Sequence, residues 1–143
     1  MTLEVLSRLP AAGDELEEVN DAPLRSLQAD PMGSYSPPGA RLVRNRGEGE
    51  RTGGLMGKPS EAHLRRLFAL PASRADAAFS DAVDAARAAG WTVEEVYSAT
   101  GVVGDKRLPS GNAYMTIIVA TDRRLMPEGV QPQTIGISLG HTR

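Results

Sequence analysis

With 143 residues, no cysteine and a net charge of −2, the chain has the size of one domain that folds without staples; disulfides, thiolate zinc sites and cysteine nucleophiles are excluded. Its hydrophobic share is 41%, much of it alanine, and aromatic residues are only 4%, so a thin aliphatic core is expected. The charge is polarised: residues 1–38 hold seven acids and two bases, 39–72 seven bases and three acids, and 73–143 eight acids and seven bases.

Residues 1–38 read as a helical arm. TLEVLSRL at 2–9 makes two helical turns that Pro10 ends. The helical pattern of 14–29 starts on a capping-box-like pair, Asp14 and Glu17, and carries an apolar stripe of Leu16, Val19, Leu24 and Leu27. Asp21 before Ala22 and Pro23 offers a second cap, which would divide the segment into two short helices. MTLEVLSRLP lacks a basic start followed by an apolar run, so no secretion signal is expected. No apolar stretch approaches the ~20 residues that span a bilayer. The default compartment is the cytoplasm, although an exported chain stripped of its leader reads the same way.

Residues 39–60 read as a Gly/Pro/Arg-rich linker or loop, with a short strand at ARLV 40–43. SYSPPG, just before it, favours polyproline geometry. GGLMGKPS at 53–60 imitates a phosphate-binding loop but departs from G-x-x-x-x-G-K-[ST] twice. Thr52 stands where the first glycine belongs, and Pro59 where the hydroxyl residue belongs. The run RLVRNRGEGERTGG interleaves acids with its arginines and holds no aromatic residue, which argues against nucleic acid.

Residues 61–143 read as an α+β domain: one main helix on a mostly antiparallel sheet of about five strands, ordered β-α-β-β-β-β. EAHLRRLFAL at 61–70 is assigned to strand. A helix over 74–89 is capped by Ser73 and closed by Gly90. Strands follow at 91–97, 102–108, 113–121 and 134–141, with a turn at LPSG. AYMTIIVAT is apolar on both faces, which predicts a central strand buried on both sides. TIGISLGH alternates Ile135, Ile137 and Leu139 with Thr134, Gly136 and Ser138, leaving one face nearly bare.

No catalytic constellation emerges. Glu94 and Glu95 point to opposite faces of a strand, Ser138 and His141 lack a nucleophile elbow, and His63 with His141 are too few for a metal site. Cofactors, metal and catalytic residues are therefore expected to be none. DPMGSYSPPGARLV, then GKP, the AARAAGWTV junction and a K-x-LP-x-G turn resemble a group of small uncharacterised actinobacterial proteins over residues 29–140. That resemblance implies one domain and no particular chemistry.

The expected function is a non-catalytic protein-binding or assembly module, accessory in kind. It docks on another protein or a second copy of itself through Leu16, Val19, Leu24 and Leu27. The alternative is a small anionic-ligand-binding protein or enzyme with Tyr35, Arg41, Arg44 and Arg123 between the 30–60 loop and the sheet. A second alternative is an inhibitor or immunity-type protein.

Overall fold

The computed structural model describes residues 18–52, 61–98, 101–121 and 132–142. In chain order these form β1 (Glu18–Asn20), α1 (Ala22–Ala29), α2 (Pro31–Ser34), β2 (Arg41–Glu48), β3 (Glu50–Thr52) and β4 (His63–Pro71). A 3₁₀ turn (Ala72–Arg74) leads into α3 (Ala75–Ala88), followed by β5 (Thr92–Ser98), β6 (Gly101–Leu108), β7 (Gly111–Thr121) and β8 (Pro132–Thr142). The main sheet has six strands in the order β2-β4-β8-β7-β6-β5, every neighbouring pair antiparallel, and β1 pairs with β3 in a separate two-stranded ribbon. The fold is α+β, with one main helix on a large antiparallel sheet.

Strand alternation decides which side is core. Leu64, Phe68, Met115, Ile117, Ile135, Ile137 and Leu139 all point to the helix side and are buried. They meet Ala78, Ala82 and Ala86 of α3, whose small side chains let the helix axis lie close to the strands. The helix ends in a full Schellman motif. Gly90, at φ 95°, donates its N–H to Arg87 O, and Trp91 donates to Ala86 O. This close places the Trp91 ring in the core beside Ala86. The N-terminus differs from expectation: Ser73 lies inside the 3₁₀ turn, Arg74 takes the cap position, and no side chain caps the helix.

The segments on either side of residue 39 join the same core. Leu27 and Met32 are among its fully buried side chains. Asp30-Pro31-Met32 explains how. Proline holds Asp30 extended, the Asp30 carboxylate accepts from Met32 N at 2.9 Å, and the short turn of α2 drives Met32 inward. The expected single loop over 30–60 is instead α2, β2 and β3, with the expected four-residue strand lengthened to Arg41–Glu48. Glu18–Asn20 is strand rather than helix, and the helix starts at the second cap position, Asp21. The phosphate-loop look-alike and the expected helix at 2–9 lie outside the described residues.

Candidate partner-binding surface

Among the described residues the sheet's second face is open except at Thr134 and Gly140, which are buried. Opposite the core, β4 presents His63, Arg65, Leu67 and Ala69, β8 presents Thr134, Gly136, Ser138 and Gly140, and β7 presents Tyr114, Thr116, Ile118 and Ala120. No described helix or strand packs on this side. Tyr114 is 45% and Ile118 49% exposed, so β7 is central in the sheet but buried on one face only, against expectation. The apolar character of both its faces arises because one faces the core and the other an open surface.

The bare glycines of β8 are roofed by neighbours. A Cβ on Gly140 would lie 2.0 Å from Tyr114 Cζ, so the Tyr114 ring lies flat across the strand. A Cβ on Gly136 would lie 3.8 Å from Leu67 Cδ1. Leu67, the flat ring of Tyr114 and Ile118 thereby form a shallow apolar patch around β8. Tyr114 Oη approaches Glu61 Oε2 at 3.4 Å. Burial, and then the Glu61 charge, raise the Tyr114 pKa above the ordinary tyrosine value. A cavity of about 440 Å³ opens at the corner of this face beside Asp105, Arg107, Asn112, Tyr114 and Thr142.

One flank of the open face is basic. Arg46 of β2 stands directly opposite Arg65 of β4, with Arg44 opposite Leu67 and Arg41 opposite Ala69. Arg46 pairs with Glu48 at 3.1 Å, and Glu48 also contacts His63 at 3.4 Å. Arg41, Arg44 and Arg65 have no ion pair among the described residues.

The expected anchors separate on this structure. Leu16 and Arg123 lie outside the described residues. Leu27 is fully buried in the chain's own core, where no partner reaches it, and Leu24 packs half-buried against that core. Val19, 53% exposed on β1, keeps a free apolar surface. Arg41 and Arg44 lie on the open face, whereas Tyr35 lies on the helix side and donates its hydroxyl to Asp81 of α3. The three described residues of the alternative ligand site, Tyr35, Arg41 and Arg44, therefore do not gather in one place.

Three polar groupings escaped the sequence. Asp30 accepts from Trp91 Nε1 at 2.9 Å and pairs with Lys106 Nζ, which also donates to Ala89 O at 2.6 Å. Lys106, whose neighbours Asp105 and Arg107 give it the look of a solvated charge run, is therefore tied into the fold. Arg66 is 7% exposed, donates Nη1 to Tyr35 O and lies 5.0 Å from the Phe68 ring centre. Burial lowers its pKa, and its Nε has no partner.

The third grouping has the look of catalytic machinery. Ser110 Oγ lies 2.9 Å from Nε2 of His141, itself 2% exposed. Yet Nδ1 of His141 is buried without a partner. A general base needs its far nitrogen protonated and held by an acceptor, as in a serine hydrolase triad. An orphaned buried N–H is also the rarer kind of unsatisfied group. With no acceptor at Nδ1 among the described residues, the favoured neutral tautomer has its proton on Nε2 and donates a hydrogen bond to Ser110, an arrangement that gives the serine no base. His63 and His141 are neighbours across β4 and β8 but on opposite faces. Among the described residues no three His, Asp or Glu side chains gather as metal ligands would. No described helix is long and apolar enough to cross a membrane.

No protein-family model, curated protein or solved structure matches this chain, so the surface itself has to carry the functional reading.

Proposed function

We propose that this chain is a non-catalytic protein-binding or assembly module that docks through the open face of its sheet, with Val19 of the arm as an outlying apolar contact. The observation that carries the reading is the pairing of Ile118 and Tyr114, both about half-exposed, on a face that no described element covers. Large apolar side chains on a flat surface, rimmed by charge, are the composition of recognition patches. The partner is another protein or a second copy. The polar groupings described above are engaged in tying the fold together, which fits a binding role.

The test compares the full chain with its Ile118→Arg variant as baits in the native host, after circular dichroism has shown both folded. Light scattering of both covers self-association. A protein or dimer held by the parent chain and lost from the variant supports the reading. Identical recoveries and identical masses would remove the open face from consideration.

A further inference from the structure

The open face ends at β2, and β2 has a free edge. It is hydrogen-bonded to β4 on one side, and no described strand pairs with its other side. Six of its eight positions are exposed. A free edge is a row of backbone donors and acceptors ready for another strand. Deepening the binding reading above, we propose that β2 receives an extended segment of a partner protein as an added strand, with acidic side chains at alternate positions and apolar ones between them.

The pattern follows from the two sides of β2. On the open face, an added strand sets its side chains beside Arg44 and Arg46. Arg46 stands opposite Arg65 but is paired with Glu48, whereas Arg44 and Arg65 have no ion pair among the described residues. Acids on the incoming strand are therefore drawn to Arg44 and offset the repulsion between Arg46 and Arg65 that Glu48 leaves. On the helix side the neighbours within that stretch are Asn45 and Gly47, and a Cβ on Gly47 would lie 3.0 Å from Leu24 Cδ1. Apolar residues there extend the core. The irregularity between Leu42 and Arg44 breaks the regular edge, so pairing is confined to Arg44–Glu48.

A second copy on the same edge is the rival occupant, since a two-fold axis at Gly47 would set Arg46 beside Glu48 of the other copy. Dimers of the unliganded chain in light scattering, lost in the Arg44→Glu/Arg46→Glu variant, would overturn the proposal. Charge and a bulge are also how edge strands avoid all pairing. Simple defence of the edge is therefore a second competing outcome.

The probe is a fluorescein-labelled peptide, Glu-Val-Glu-Ile-Glu-Val-Glu, titrated into the full chain and followed by anisotropy. The expected result is saturable binding, weakened about tenfold or more by the exposed double variant Arg44→Glu/Arg46→Glu. Binding should weaken with added salt and bring new amide protection confined to residues 44–48 by hydrogen exchange. A scrambled peptide with adjacent acids, and one with lysine for glutamate, should not bind. Strand addition is overturned by no binding, by equal binding of the scrambled peptide, by indifference to the charge reversal, or by protection elsewhere. An inert peptide beside an Ile118-dependent partner would remove strand addition alone and leave the open-face reading standing.

Discussion

Asp30 and Lys106, 76 residues apart, close an ion pair beneath the end of α3, where the aspartate side chain is 1% and the lysine 20% exposed. The same carboxylate holds Met32 N and Trp91 Nε1, so one group pins three segments of chain. Removing one partner of such a pair strands the other. Asp30→Ala is expected to lower unfolding free energy by about 3–5 kcal/mol. Asp30→Asn keeps an acceptor and should lose clearly less. Urea denaturation of both variants decides this, and equal losses would show that the hydrogen bonds to Met32 and Trp91 contribute little.

Arg66 is the opposite case, a guanidinium inside the core with no carboxylate facing it among the described residues. Its rewards are one carbonyl, that of Tyr35, and the Phe68 ring. A methionine fills the same volume without a charge to desolvate. Arg66→Met is expected to stabilise the chain by about 1–2 kcal/mol. Arg66→Ala removes the packing as well and should destabilise it. A loss of stability in the methionine variant would mean that the Arg66–Tyr35 contact outweighs the burial cost.

What the sequence shows and what it hides follow from different physics. α3, β4, β6, β7 and β8 are legible because each buries one apolar periodic face, and periodicity survives in the letters. β2 is legible only at its start, in ARLV; beyond it the exposed positions are arginine, asparagine and glycine, which are strand only through pairing with β4. Lys106 is hidden because a lysine beside Asp105 and Arg107 looks solvated until Asp30 is brought to it from another segment. The open face is half legible: Gly136 and Gly140 mark a bare side of β8, but nothing local shows that Tyr114 and Leu67 lie over it. The anchor stripe shows the limit of periodicity, since Leu27 and Val19 share one pattern while one is buried and the other exposed.

Tyr35 and Tyr114 predict an alkaline transition. Burial first, and then the carboxylates of Asp81 and Glu61 respectively, raise both pKa values in the folded state. The unfolded chain therefore gives up these protons at lower pH than the folded one. Their contribution is fully present below the unfolded tyrosine value of about 10 and is lost as pH climbs beyond it. Melting temperature should fall above that pH, and Tyr35→Phe should flatten the fall. An unchanged alkaline slope in the phenylalanine variant would detach it from Tyr35.

Two glycines separate rigid from yielding neighbours. A Cβ on Gly33 would lie 2.2 Å from the Leu27 carbonyl oxygen, which belongs to the helix backbone. A Cβ on Gly140 meets the Tyr114 ring, which is half-exposed and free to swing outward. Gly33→Ala is expected to cost about 3 kcal/mol or more, and Gly140→Ala only about 1 kcal/mol. In a Tyr114→Ala background the Gly140 cost should vanish. Calorimetry of the four variants tests the ordering, and a persistent Gly140 cost would place the strain in the backbone.

The Ser110–His141 contact yields the last prediction, and it bears on catalysis directly. With Nδ1 buried and without a partner among the described residues, the expected neutral tautomer keeps its proton on Nε2 and donates a hydrogen bond to Ser110 Oγ. Nitrogen-15 shifts of His141 should therefore report an unprotonated Nδ1. A fluorophosphonate probe should leave Ser110 unlabelled. Ser110→Ala should cost about 1–2 kcal/mol through the donor left without a partner. The opposite tautomer together with labelling of Ser110 would make the serine a nucleophile and the histidine its base, and the non-catalytic reading would then fall. The unlabelled outcome would leave the pair as a clasp that holds the 108–111 turn to β8, where Gly111, at φ 143°, already has its would-be Cβ 2.6 Å from Thr142 O.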